Sequence, residues 1–215
     1  MTLNRRRLAI GLFASTISTS ALAARPKIAV LTQAEQEIVD RAGVYLQGLA
    51  EAKGRFIQTD ARGNVSRGEI FLKRPGRARF AYDPPSRLLV VADGSNVTIA
   101  NSQLKTFDRY PLIATPLSIF LARQIRLDRG ILVSEVRQTP DGFLITARDG
   151  RKEAEGQIVL SFADRPLALN GWTVTDAQGQ STHIALVDMA RVSGLPASLF
   201  QLIDPRQKSP GRSRM

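Results

Sequence analysis

Apolar positions follow two different periods along the chain. Between Thr32 and Gly54 they recur at every third or fourth residue, a spacing typical of one face of an amphipathic helix. Thr32-Gln33-Ala34-Glu35 matches a capping box at the start of this stretch, and Gly54 is suited to end a helix. The pattern therefore predicts one amphipathic helix between these two points. Its apolar stripe is Ile38, Ala42, Tyr45, Leu46 and Leu49.

From Arg55 onward the period changes to two, which indicates half-buried strands. Turn pairs such as Pro75-Gly76, Asp93-Gly94 and Asp141-Gly142 separate these stretches. Turns this frequent, without regularly interleaved helices, favour a meandering antiparallel sheet over a parallel one. The predicted strands cover residues 55–61, 65–74, 78–82, 87–92, 97–100, 104–108, 131–137, 143–147, 157–162, 167–175 and 181–187.

A second, short helix is predicted between two of the strands. Thr115-Pro116 places a capping residue before a first-turn proline, and Leu117, Phe120 and Leu121 follow on one helical stripe. A further turn is predicted around residues 197–200. About eleven strands exceed what one flat sheet readily holds, so we expect the sheet to curl. The predicted fold is mainly β with helices (α+β): an incomplete, curled antiparallel β-barrel covered by the N-terminal amphipathic helix and the short inserted helix.

The two ends of the chain differ from its middle in composition. MTLNRRR, a short apolar stretch and Ala21-Leu22-Ala23 match a secretory signal peptide. Its three arginines also fit a twin-arginine signal loosely, which leaves the export route open. We expect residues 1–23 to be a signal peptide cleaved near Ala23, residues 24–204 to form one domain, and residues 205–215 to be a basic disordered tail. Such a signal implies a periplasmic protein.

The 215 residues carry a formal net charge of +11. Seven of the basic residues lie in the predicted signal and tail, which contain no acidic residue at all. We expect no nucleic-acid partner, because no nucleic-acid-binding module with stacking aromatic residues is visible. For an exported protein, transient contact with anionic head groups at a membrane surface is the more natural consequence of this charge.

Residues with catalytic or metal-binding chemistry are sparse. The chain has no cysteine, and its only histidine, His183, would need three carboxylates to complete a zinc site. Paired acids such as Glu153/Glu155 and Asp83/Asp93 lie in or beside turns, where solvated carboxylates are common. We therefore predict no catalytic residue, no metal and no cofactor, in a protein that is not an enzyme.

Five short motifs occur in order along the chain. They are Phe56-x-Gln58, Gly68-x-x-x-Leu72-Lys73-Arg74-Pro75-Gly76, Arg79-Phe80-x-Tyr82-x-x-Pro85, Val91-x-Asp93-Gly94 and Thr115-Pro116. Together they resemble the outer-membrane lipoprotein carrier family, the LolA-type periplasmic chaperones, over nearly all of residues 32–205. Two features depart from that family. Phe80 stands where a tryptophan is frequent, and residues 98–101 replace an aromatic residue and Tyr-Asp.

The resemblance implies a monomeric carrier of acylated lipoproteins. Such a carrier takes a lipoprotein from an inner-membrane ABC-type release complex, shields its acyl chains and passes it to an outer-membrane acceptor. Arg74 matches a basic residue that limits ligand retention, so we predict a latch whose N–H groups bind carbonyls of the facing helix. We interpret Arg77 and Arg79 as solvated corner residues. The predicted acyl cavity is lined by Leu46, Ile70, Leu72, Phe80, Tyr82, Leu88, Val90, Leu117, Phe120 and Leu121.

Other readings stay open from the sequence alone. The ten cavity residues could be ordinary packed core, and Trp172 is predicted as core or rim. The protein could instead bind another amphiphile, such as a glycolipid or an envelope lipid. It could also be a sensor that detects lipoproteins and contacts a membrane regulator. Identification of co-purified acyl species would distinguish an amphiphile-binding protein from a lipoprotein carrier. Depletion of the protein would distinguish a sensor from a carrier.

Overall fold

In this computed structural model, two short helices cover one face of a single large sheet. The structure describes residues 30–115, 117–123, 131–149 and 156–204; the predicted signal peptide, Pro116, Glu153, Glu155 and the predicted tail lie outside these ranges. The helices are α1 (Gln33–Gly48) and α2 (Leu117–Leu121). The strands are β1 (Glu51–Thr59), β2 (Val65–Lys73), β3 (Arg77–Tyr82), β4 (Leu88–Asp93), β5 (Asn96–Asn101), β6 (Thr106–Pro111), β7 (Ile131–Thr139), β8 (Gly142–Asp149), β9 (Gln157–Asp164), β10 (Leu167–Thr175) and β11 (Ser181–Arg191).

The eleven described strands form one antiparallel sheet in the order β6-β5-β4-β3-β2-β1-β11-β10-β9-β8-β7. Nearly every strand pairs with its neighbours in the chain, and β1 with β11 is the one pairing of strands distant in sequence. β6 and β7 stand at the two edges, so the curled sheet does not close. The predicted incomplete antiparallel barrel is confirmed.

Helix α1 begins where the sequence predicts and ends earlier. The Glu35 N–H donates to Thr32 Oγ1 at 3.3 Å, and the Thr32 N–H donates to Glu35 Oε2 at 2.8 Å, which completes the capping box. The prediction that Gly54 ends the helix is wrong. Gly54 lies inside β1, beside a register shift against β11, and the strand starts at Glu51. Strand pairing with β2 and β11 on both sides outweighs the local preference of this glycine.

The inserted segment is shorter and more irregular than predicted. Leu112–Ala114 form a 3₁₀ turn, and α2 has only five residues. The Thr115 hydroxyl donates to the Leu112 carbonyl oxygen at 2.8 Å, so it belongs to the preceding turn. The segment follows the edge strand β6, and the chain goes on to the opposite edge strand β7. We refer to α1 together with residues 112–115 and 117–123 as the lid.

The core lies between the lid and the inner face of the sheet. Helix α1 packs against β7 and β10, and it buries Ile38, Val39, Ala42 and Leu46. Alternate residues of the strands complete one continuous apolar cluster. Its largest fully buried side chains include those of Trp172, Phe56, Phe120, Phe143 and Phe162.

After β11 the chain turns back across the outer face of the sheet. We call residues 192–204 the C-terminal strap. Lys73 Nζ donates to the Leu195 carbonyl oxygen at 2.6 Å, and the Leu195 N–H donates to Glu51 Oε2 at 2.8 Å. Further along, Arg79 Nη1 donates to the Leu199 carbonyl oxygen at 3.0 Å. Arg79 is therefore not the solvated corner residue that we predicted, because the strap reaches it from a distant part of the chain.

We expect Glu51→Gln to lower the thermal unfolding temperature modestly at pH 7, because Lys73 loses its charged partner at 2.8 Å. The Lys73 hydrogen bond and the Leu195 N–H hold the pKa of Glu51 below its usual value. A lowered pKa stabilises the fold above the unfolded pKa, and this stabilisation is lost as the pH falls through the folded pKa.

The difference between Glu51→Gln and wild type should therefore shrink below about pH 4, measured by circular dichroism melting. Glu69→Gln is the matched control, because Glu69 is an exposed acid on the same outer face of β2. An equal loss of stability at pH 7 and pH 3 would contradict the role given to the Glu51 carboxylate.

Candidate functional site

The guanidinium of Arg74 joins the two helices of the lid. Arg74 directly follows β2, and its backbone N–H donates to the Ala50 carbonyl oxygen at 2.8 Å. Nη1 donates to the carbonyl oxygen of Leu46 in α1, and Nη2 donates to that of Ala122, just after α2, at 2.7 Å. Burial lowers the pKa of Arg74 from its ordinary value. The planar fork thus binds two carbonyl oxygens from different helices at once.

The turn between β2 and β3 holds the end of α2 in place. The Gly76 N–H donates to the Leu121 carbonyl oxygen at 2.8 Å, next to the carbonyl that Arg74 binds. Gly76 has a φ of +77°, and a Cβ there would lie 2.8 Å from Gly94 Cα. Only glycine fits this position without strain. Since the last carbonyls of a helix have no partner within it, these donors supply what α2 lacks.

Beneath Arg74 the lid and the sheet meet in an apolar contact that we call the seam. Of the ten predicted cavity residues, six are buried in the core. They are Leu46, Ile70, Leu72, Phe80, Phe120 and Leu121. Tyr82, Val90 and Leu117 are partly buried and pack against the same core, whereas Leu88 is partly exposed and lies outside the cluster. Their role in binding acyl chains stays a prediction.

Trp172 lies at the centre of the seam, although sequence reasoning left it as core or rim. Its side chain is fully buried, with an exposed fraction of 0%. The Phe120 ring of α2 lies over it at 5.0 Å with a tilt of 31°, and the Phe80 ring meets it edge-on at 6.2 Å. Trp172 is therefore the residue of the sheet on which the short helix rests.

The first three sequence motifs form one aromatic cluster beside the seam. The Phe56 ring meets the rings of Phe80 and Tyr82 edge-on at 5.5 and 5.0 Å. The Tyr82 hydroxyl donates to Gln58 Oε1 at 2.6 Å, and burial raises the pKa of Tyr82 to about 12. A Cβ on Gly68 would lie 2.7 Å from Phe56 Cε1, so the glycine makes room for this ring. Packing explains the spacing of these motifs.

A separate cleft of about 760 Å³ lies at the opposite end of β2 and β3. Polar groups dominate its lining, which does not suit an acyl chain because those groups would lose their contact with water. Asp83, in this lining, forms an ion pair with Arg55. The polar residues of the lining include Ser66, Arg67, Asp83, Arg87, Asn101 and Gln103.

Groups with catalytic potential are dispersed in the described parts of the chain. His183 is exposed, and its Nδ1 lies 3.0 Å from Thr173 Oγ1. Asp93 pairs with Arg109 at 3.6 Å and accepts two backbone N–H groups of its own turn. Across residues 30–115, 117–123, 131–149 and 156–204, no three histidine or acidic residues gather as a metal site. Over the same ranges, every helix is too short or too polar to cross a bilayer.

Trp172 is the only tryptophan of the chain, so its fluorescence reports on the seam. We expect Phe120→Leu to shift the emission to longer wavelength and to increase quenching by acrylamide. The aromatic pair contributes about 0.5–1.5 kcal/mol, so its loss should raise the open fraction of the lid roughly 2- to 13-fold.

Phe143→Leu serves as the control for this experiment. Phe143 is similarly buried and stacks on Phe162 at 5.1 Å, and Phe162 meets Tyr45 of α1 edge-on at 6.0 Å. Equal changes in the two variants would show that Phe120 does not hold the lid on Trp172.

Several known proteins whose sequences are similar to this chain share one name. Relatives named outer-membrane lipoprotein carrier protein include one from Shewanella amazonensis, 26% identical and covering 82% of this chain and 87% of its own. Another, from Xanthomonas oryzae pv. oryzae, is 30% identical and covers 90% and 89%. A solved LolA superfamily protein from Nitrosomonas europaea has a TM-score of 0.47 and 11% identity, covering 78% of this chain and 97% of its own. Residues 47–203 match the family model described as outer membrane lipoprotein carrier protein LolA, and the chain belongs to that family.

Proposed function

We propose that this protein is a periplasmic carrier that shields the acyl chains of lipoproteins and moves them from the inner to the outer membrane. It receives its cargo from an inner-membrane ABC-type release complex and delivers it to an outer-membrane acceptor, with only transient contact with either membrane surface. The family supports a role as a lipoprotein carrier. The observation that carries the finer proposal is a lid that Arg74 fastens over an apolar seam.

The amount of apolar surface buried in the seam determines how long the acyl chains of a guest must be to open the lid. The lid buries six large apolar side chains, and burial of each contributes about 1.5–3 kcal/mol to stability. Exposing all six to water by opening the lid therefore costs roughly 9–18 kcal/mol, unless a guest covers the exposed surface. An acyl chain returns about 0.8 kcal/mol per buried CH₂, so roughly 11 to 22 methylenes are needed. The six side chains are those of Ile38, Val39, Leu46, Leu112, Phe120 and Leu121.

This comparison favours a guest with two or three long chains. A single short chain cannot replace the contacts that the lid makes with the sheet, whereas two or three long chains replace them with some surplus. Since only the surplus contributes to net affinity, such a guest binds without being trapped. A lipoprotein with several acyl chains meets this condition.

Arg74 reduces the net affinity further. Its hydrogen bonds to Leu46 and Ala122 form in the closed, empty state, and movement of the lid away from the sheet breaks them. Hydrogen bonds from a charged donor contribute about 1.5–3 kcal/mol each, so each one lowers the apparent affinity for a guest about tenfold or more. The same bonds re-form when the guest leaves, and they favour transfer to an acceptor.

Incubation with spheroplasts tests the proposal. We expect the wild-type protein to release lipoproteins from the membrane in a soluble one-to-one complex. Arg74→Leu should still load, but it should pass its cargo to an acceptor at least about tenfold more slowly, because the empty closed state has lost both hydrogen bonds. Arg74→Lys should lie between the two, since an ammonium group lacks the planar fork.

Arg77→Leu is the matched control, because Arg77 is a neighbouring arginine of the same turn whose side chain lies on the outer face. If Arg74→Leu delivered cargo at the wild-type rate, Arg74 would not act as a latch, and the carrier role would be unaffected. Wild-type protein that releases no lipoprotein and co-purifies with a glycolipid, identified by mass spectrometry, would replace the carrier with the amphiphile-binding alternative.

A further inference from the structure

Two buried N–H groups near the seam have no acceptor. They are Nε1 of Trp172 and Nε of Arg74. Trp172 is completely buried, and the residues paired with it on β9 and β11 are Leu160 and Ile184, whose side chains offer no acceptor. Because buried polar groups in folded proteins are almost always hydrogen-bonded, an unpaired indole N–H at this place requires an explanation.

The position of Trp172 connects its N–H to the movement of the lid. Phe120 of α2 covers the indole, and Ala122, two residues further on, gives Arg74 its carbonyl partner. Lifting α2 therefore uncovers Trp172 and frees Arg74 in one movement. The indole is then within reach of a guest that enters beneath the lid.

We propose that Nε1 of Trp172 is a specificity-determining donor, which binds the carbonyl oxygen of an acyl ester or acyl amide of the guest. This inference rests on the proposed function, since it concerns the guest of the same site. The hydrocarbon part of an acyl chain has no hydrogen-bond acceptor. The ester or amide carbonyl at its head is the polar group that enters the apolar site with it.

A donor of this kind acts only in the loaded state. In the closed, empty state the N–H is unsatisfied and makes that state less stable, and a carbonyl oxygen removes this cost on binding. The Trp172 hydrogen bond thus favours loading, whereas the Nη1 and Nη2 hydrogen bonds of Arg74 favour closure. A site built to bind a carbonyl also rejects an analogue that lacks one, because its donor is then left unpaired.

The experiment compares two synthetic lipopeptides by isothermal titration calorimetry. One carries a dipalmitoylglyceryl cysteine, and the other is its ether analogue, in which both ester carbonyls are absent. We expect the wild-type protein to bind the ester about five- to tenfold more tightly than the ether. Since Trp172 is the only tryptophan, replacing it with 3-benzothienylalanine, which has sulfur in place of the N–H, alters this one position.

We expect the substituted protein to bind both lipopeptides with the affinity that wild type has for the ether, and Trp172→Phe to show the same loss of preference. Phe80→Leu should weaken both ligands equally and leave their ratio unchanged, because Phe80 contributes only apolar contact. Ester preference that survives substitution of Trp172 would overturn the inference and leave the carrier role intact. A wild-type protein that binds neither lipopeptide would overturn the carrier role, and the inference with it.

Discussion

One guanidinium fork holds the lid together, since Arg74 binds a carbonyl oxygen from each of the two lid helices. Both carbonyls lie at the C-terminal ends of helical segments, where a carbonyl oxygen has a lone pair left for a further donor; that of Leu46 also accepts the Leu49 N–H at 3.1 Å. The two N–H donors of one side chain at the end of β2 therefore connect α1 to the end of α2. These bonds are directional and few. The apolar contacts beneath them are non-directional, so another apolar surface can take their place.

The two faces of the sheet bind different parts of the chain. Lys73 and Arg74 are consecutive residues at the end of β2, yet Lys73 binds the C-terminal strap on the outer face while Arg74 binds the lid on the inner face. The outer face also holds the Glu51 carboxylate and the Arg79 contact with Leu199. These contacts do not involve the lid. The strap contacts on the outer face are thus independent of the lid contacts on the inner face.

Sequence patterns predicted some residues of the site and missed others, for identifiable reasons. Arg74 was found from its motif, and Phe120 from the helical stripe of the inserted segment. Trp172 was missed because β10 contains a bulge between Leu169 and Gly171. Simple alternation puts Trp172 on the face of exposed Asn170, whereas the bulge turns it inward beside Leu169. Gly54 misled the prediction of the α1 boundary, since its partner in β2 is Ile70 and the strand that contains it also pairs with β11, far away in the sequence.

By itself, the sequence determined the type and order of the elements, because helix and strand periods, the capping box at Thr32 and the turn pairs depend on neighbouring residues. It also indicated that apolar residues of α1 and α2 face a common interior. Only the tertiary structure decided which atoms meet there: that Arg74 reaches Leu46 and Ala122, and that Phe120 rests on Trp172. These contacts join residues 28 to 52 positions apart. Their geometry follows from the register and bulges of the curled sheet, which no local pattern contains.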